Sequence, residues 1–376
     1  MNIIYPSFSR HPGDRANAVQ VMHMAGALGQ LAHTRLIIPD HHPHMSDDAI
    51  LAHYGLEKTF ALTRLKFFNP QFFFNQAWLK RLHHIIYRYS VDSFVRSLRR
   101  DVTTHVSAHD IFYLRNLELL PALPSQARCF MECHQFADGD AVFDGRVRGL
   151  IAINSALGRH LRERHPALPV CVEHDGVRSI PDDAPAGRPA GPFIFGYVGR
   201  FNTMGREKGL PELLRSFARL RHQDACLRLV GARDEAERSR YEAVGLDCGL
   251  SSRRLQVQLG VAPAKVMDCI RNLDCCILPL LDDSHNLSPL KLFEYMASGV
   301  PLIATRLPAH LDVLRAENAM LVDPAVDGLL HGLEYALHHG EHMHAMAQQA
   351  RLDVRRHTWS ARARRILDFM HGVCPA

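Results

Sequence analysis

The strongest constraint on the fold is a rhythm that runs once, breaks and restarts. Short apolar runs at 2–6 and 35–38 flank a helical pattern through Val19, Met22, Ala25, Leu28 and Leu31. Strand-like runs follow at 111–114, 127–131, 149–153 and 170–172, with a polar helix over 155–164 before the last. Strands alternating with helical stretches of this length predict an α/β layer built on a parallel sheet. The stretch PDDAPAGRPAGP at 181–192 then has no hydrophobic period and is dense in Pro, Gly and Ala, as a linker would be. After it, strand runs recur at 193–198, 226–230, 255–259, 275–279 and 301–304, with helices over 210–220, 263–272 and 289–298. The chain of 376 residues has room for two such layers, because one domain takes roughly 150 residues. The expected division is an N-terminal domain over 1–180, a linker over 181–192, a C-terminal domain over 193–355 and a closing amphipathic helix within 356–376.

Composition removes several classes of function. A formal net charge of +5 is too small over this length to mark a general nucleic-acid binder. The nine cysteines are an odd number without paired metal spacing, and several lie in apolar runs, which predicts reduced thiols and a cytoplasmic protein. No apolar run approaches the roughly 18 residues of a membrane span, and the opening MNIIYPSFSRHPGDR reaches charge too soon for a signal peptide. One segment departs from this balance: 64–100 carries eight Lys or Arg against Asp92 alone, interleaved with Phe67, Phe68, Phe72, Phe73, Phe74, Trp78, Ile85, Ile86 and Tyr87. Such a segment fits either an anionic membrane face, as a peripheral contact on its cytoplasmic side, or a core-facing helix with a solvated basic side.

The string NLSPLKLFEYMASGVPLIAT at 286–305 concentrates the chemistry. Ser288 and Pro289 have the character of an N-cap and first helical residue ahead of Leu290, so unpaired backbone N–H groups and the positive dipole end can cradle a diphosphate. Glu294, less than two turns in, is acceptor-only when ionised and can grip both hydroxyls of a ribose. On spacing alone, Lys291 and Glu294 are equally a surface ion pair. In YVGRFNTMGREKGL at 197–210, Gly199 ends a strand, and Arg200 and Lys208 frame the loop after it, where two cations can neutralise charge growing on a departing diphosphate.

These two strings resemble the nucleotide-sugar signature of the retaining glycosyltransferases of family 4. The resemblance extends to EHDGV at 173–177, to the trio Glu132, Cys133 and His134, and to the closing helix near Trp359. It implies the GT-B fold, two facing Rossmann-like domains with the closing helix crossing back to the first. It also implies transfer of a sugar from a nucleotide-sugar donor to a hydroxyl of a glycan or lipid-linked acceptor, as in polysaccharide biosynthesis, with retention and without a metal cofactor. His134 would contact the transferred sugar, with Glu132 flanking it. Asp14, Arg15 and Arg115 are further acceptor-side candidates, since their loops follow strands of the first domain.

Two departures stand out. The family carries two glutamates eight positions apart, and here the first is Asn286, which can hydrogen-bond sugar hydroxyls but supplies no charge near the anomeric carbon. The first loop has Gly13 alone where two adjacent glycines are common. Other acidic and histidine clusters read as decoys: His338 and His342 as a solvated helix face, Asp282 with Asp283 and Asp138 with Asp140 as loops. The competing functions are a sugar-nucleotide epimerase of the same fold and a donor-binding subunit that supports another transferase.

Overall fold

The computed structural model of the chain describes residues 1–69, 82–107, 109–183, 191–203, 205–282 and 290–374. Two compact units are present: Met1–His174 with Trp359–Ala376, and Asp175–Thr358. The division thus falls ahead of the linker-like stretch rather than at 180, and residues 175–180 go with the second unit. Val177 bridges Thr358 there, and its N–H donates to the His357 carbonyl at 2.9 Å.

The first unit runs β1 (Asn2–Pro6), α1 (Ala16–Gly29), β2 (His33–Pro39), α2 (Asp47–Tyr54), β3 (Ala61–Leu65), α3 (His83–His105), β4 (Ile111–Leu114), β5 (Arg128–Cys133), α4 (Phe136–Gly139), β6 (Val147–Ala152), α5 (Ser155–Arg164) and β7 (Val170–Val172). The described strands form one parallel sheet in the order β3-β2-β1-β4-β5-β6-β7. Its inner strands are covered on both faces, so they read as unbroken apolar runs such as Ile111–Leu114, buried at every position. Edge strand β3 has no such run, and neither it nor α2 was expected; Ser46 caps α2 by accepting the Ala49 N–H at 3.1 Å. The closing helix, Trp359–Val373, belongs to this unit and packs on α1, with Trp359, Arg362, Ile366 and Met370 inward.

The described part of the basic segment sends one face of α3 into the core. Val91, Phe94, Leu98 and Val102 face inward from α3, and Phe67 meets Phe8 edge-on with centroids 5.9 Å apart. Arg64 is a staple rather than a surface cation: it donates to Asp40 at 2.7 Å, to Asp47 at 3.1 Å and to the Met45 and His42 carbonyls. Ile85, Tyr87 and Tyr89 remain exposed at the start of α3. Phe72, Phe73, Phe74, Trp78, Lys80 and Arg81 lie outside the described residues.

The second unit runs β8 (Ile194–Val198), β9 (Asn202–Thr203), β10 (Arg206–Glu207), α6 (Leu210–Arg219), β11 (Cys226–Ala232), α7 (Glu235–Asp247), β12 (Leu255–Leu259), α8 (Val266–Arg271), β13 (Cys275–Leu278), α9 (Leu290–Ser298), β14 (Leu302–Thr305), α10 (Pro308–Leu311), β15 (Met320–Val322), α11 (Val326–His338) and α12 (Gly340–Asp353). The helix expected at 263–272 begins as a tight turn at Pro263–Lys265 before α8. The main described sheet is parallel, in the order β12-β11-β8-β13-β14-β15. Both sheets therefore have the doubly wound pattern, with strand order reversing beside β1 and β4 in one unit and beside β8 and β13 in the other. Ligands of such sheets bind at those points, beyond the carboxyl ends of the strands.

Candidate active site

In the second unit, the residues after β8 and those opening α9 come together at the switch point. The Tyr295 hydroxyl accepts the Val198 N–H at 2.8 Å and donates to the Val198 carbonyl at 3.3 Å, which ties α9 to the end of β8. Lys291, one turn earlier on α9, then crosses Gly199: a Cβ at that glycine would lie 1.4 Å from the lysine Cε. Gly199 has φ +147°, and Gly209, with φ +74°, brings its loop so close that a Cβ would meet the Pro279 carbonyl oxygen at 1.8 Å. Only glycine serves at either position.

The loop between them is the small hairpin β9–β10, which pins the two expected cations. Tyr197 donates its hydroxyl to the Arg200 carbonyl at 2.8 Å, the Lys208 N–H donates to Phe201 O at 3.1 Å, and Arg240 and Tyr241 hold Glu207. Arg200 and Lys208 are both half-buried. Burial, and then the neighbouring Lys291 ammonium, pull the Lys208 pKa down to about 8 against a weaker opposite pull from Asp282. The Glu294 carboxyl is pushed up by burial, with Lys291 acting in the other direction. Each group is thus strained in its charged form, a state that an anion beside the lysines and hydroxyl donors beside the carboxylate would relieve.

Sequence reasoning weighed Lys291 only as an ion-pair partner of Glu294 and missed its place across Gly199 and beside Lys208. A signal was present: a cation in the first turn of a helix, with no acid in that turn, opposes the helix dipole. Leu290 opens α9 as a half-buried residue, whereas Asn286, Ser288 and Pro289 lie outside the described residues. A separate hollow of about 430 Å³, lined in part by Arg306, Asp323, Asp327 and His331, sits at the β14–β15 side of the sheet, away from the switch point.

In the first unit, His134 follows β5 at the carboxyl edge, and its ring meets Glu132 Oε1 at 2.6 Å. Asp138 accepts the His134 N–H at 2.7 Å and the Gln135 N–H at 3.1 Å, so this acid caps α4. Glu132 does not face an acceptor: it is 1% exposed and receives donors from Gln20, Tyr113 and Arg362 as well. Arg362 and then His134 hold its carboxyl at about 2, outweighing the burial that would raise it. Asp14 and Arg15 are exposed just before α1, and Arg115 is half-buried after β4. The Gly13 N–H donates to the Tyr54 hydroxyl at 2.8 Å, so it is already engaged rather than offered to a phosphate.

Among the described residues, no group of three or more His, Cys, Asp or Glu is arranged to hold a metal ion. His338 turns to the Glu334 carbonyl and His342 to the Tyr335 hydroxyl. Among the described residues, no helix is long and apolar enough to cross a membrane.

Residues 192–339 match the family described as Glycosyl transferases group 1, so the second unit carries a glycosyltransferase domain. No curated protein is significantly similar in sequence. Solved structures share the fold along the whole chain. Sucrose-phosphate synthase from Thermosynechococcus elongatus is similar at TM-score 0.74 and 16% identity, covering 99% of this chain and 98% of that one. An E. coli trehalose-6-phosphate structure bound with UDP-2-fluoro glucose is similar at TM-score 0.69 and 13% identity over 100% of both chains. Anabaena HepE in complex with UDP and glucose is similar at TM-score 0.66 and 12% identity over 98% of both. The fold is the GT-B type, two Rossmann-like parallel-sheet domains.

Proposed function

We propose that this chain is a retaining glycosyltransferase of family 4 that moves a sugar from a nucleotide-sugar donor to a hydroxyl of a glycan or lipid-linked acceptor, without a metal cofactor. The observation that carries the reading is the meeting of Lys208 and Lys291 beside Glu294 at the β8–β13 switch point, with Arg200 on the same loop after β8. The two lysines there match the charge of a nucleoside diphosphate, and the carboxylate matches a ribose diol. The first unit presents His134 to the transferred sugar, with Arg115, Asp14 and Arg15 at the loops that receive the acceptor.

The reaction follows from these groups. The bond between the anomeric carbon and the diphosphate oxygen breaks, and its electron pair leaves with the diphosphate, where the cations stabilise the growing charge. The acceptor oxygen bonds to the same face of the anomeric carbon and gives its proton to the departing phosphate oxygen. With Asn rather than Glu at 286, no carboxylate of that position attacks the sugar. The exposed Ile85, Tyr87 and Tyr89 beside Arg88 support a peripheral contact with anionic lipid, which would deliver a lipid-linked acceptor. Isothermal titration with UDP tests the donor reading, because UDP is the nucleotide in two of the similar structures. Saturable binding lost in Lys291→Met together with Lys208→Met is the expected result, and absence of binding for UDP, GDP and ADP alike would refute it.

A further inference from the structure

The first unit buries an ion pair that donor chemistry does not use. Arg362 on the closing helix is 0% exposed and Glu132 at the end of β5 is 1% exposed. Desolvating two charges costs several kcal/mol per ion, and apolar side chains of similar volume would hold the helix as well. The pair does something that apolar groups could not, because it sorts the donors around one carboxylate. Arg362 Nη2 donates to Glu132 Oε2 at 2.7 Å, and the Tyr113 hydroxyl donates to the same oxygen. Oε1 is left to take Gln20 Nε2 at 2.7 Å and His134 Nε2 at 2.6 Å. The guanidinium is itself fixed, with Nε donating to the His174 carbonyl at 2.9 Å and Nη1 to the Tyr113 hydroxyl at 3.2 Å.

An ionised carboxylate accepts and never donates, so the ring nitrogen facing Oε1 must carry the hydrogen. We infer that Glu132 and Arg362 are positioning residues that lock His134 as the Nε2–H tautomer, so that Nδ1 is the nitrogen that accepts a hydrogen bond from a hydroxyl of the transferred sugar. The sugar contact rests on the function proposed above; the tautomer lock stands on the first unit alone. The closing helix, distant in sequence, thereby governs which atom the histidine offers.

The test is nitrogen NMR of the full chain labelled with 15N-histidine, with the His134 signals identified by their loss in His134→Gln. The wild-type protein should show Nε2 as pyrrole-like and Nδ1 as pyridine-like. In Glu132→Gln, Arg362 and Tyr113 should claim the amide oxygen, turning the amide NH2 toward the ring and reversing the tautomer to Nδ1–H. In the double variant Glu132→Gln with Arg362→Leu that preference is lost, and a mixture should appear. A pyridine-like Nε2 in the wild type, or a pyrrole-like Nδ1 as in a ring protonated on both nitrogens, overturns the proposal even if no variant folds. So does an unreversed tautomer in folded Glu132→Gln, or a full reversal that persists in the double variant. UDP titration is a separate readout on the second unit: its failure would remove the donor reading and leave the tautomer result untouched.

Discussion

Replacing Lys208 with methionine should make the unliganded protein more stable while destroying its grip on nucleotide. The Lys208 pKa falls from 10.5 to about 8, first through burial and then through Lys291. At about 1.4 kcal/mol per pKa unit, holding an ammonium there costs the unliganded fold about 3 kcal/mol. Methionine keeps a similar unbranched stem and removes the charge. For a unit of this size each kcal/mol moves the melting temperature by roughly 2 to 4 °C, so the second unit's transition should rise by about 6 to 12 °C at pH 7. The sign also fixes the pH window. The folded pKa lies below the unfolded one, so the cost is fully present below about pH 8 and fades as pH rises toward 10.5. The gap between variant and parent should therefore be widest near neutrality and close at high pH. Differential scanning fluorimetry with and without UDP reads both halves. A variant that melts lower than the parent without ligand, or that keeps the parent's stabilisation by UDP, would refute the idea that Lys208 is strained for the sake of an anion.

Three further outcomes follow from the same site and from the basic segment. Glu294→Gln should weaken UDP binding by at least about tenfold in calorimetry, since each charge-assisted bond to a ribose hydroxyl is worth about 1.5 to 3 kcal/mol; unchanged affinity would take Glu294 off the ribose. Arg200→Ala should lower kcat by about a hundredfold, more than it raises the donor KM, with parent activity surviving EDTA; full dependence on a divalent ion would contradict the metal-free mechanism. Co-sedimentation should require anionic vesicles, fade with salt and be lost when Lys80, Arg81 and Arg88 are all replaced by Gln; equal recovery in the supernatant with neutral and anionic vesicles would leave a soluble acceptor.

What the sequence made legible depended on whether a residue's job is local. Strands β4 and β8 were plain because both sheet faces are covered and every position is apolar, while β3 was not, because at the sheet edge its residues stay half-buried and Arg64 turns sideways to staple Asp40 and Asp47. Gly199, Arg200, Lys208 and Glu294 could be singled out because the loop after a strand and the first turns of a helix are where an α/β sheet meets its ligand. Lys291 was harder, since its three-residue spacing from Glu294 suits a surface ion pair; its packing across Gly199 depends on a glycine distant in the chain. Glu132 was legible only in part. It flanks His134, as its place in the sequence suggests, and meets the ring at 2.6 Å, but it is buried and also takes donors from Gln20, Tyr113 and Arg362, which stand elsewhere in the chain. Arg362 had a visible signature after all. It lies three residues after Trp359 and four before Ile366, on the stripe that the closing helix buries. A charge on an apolar stripe requires a buried counter-charge, and a buried acid next to a histidine at a strand end is the partner that such a stripe should have sent the reader to find.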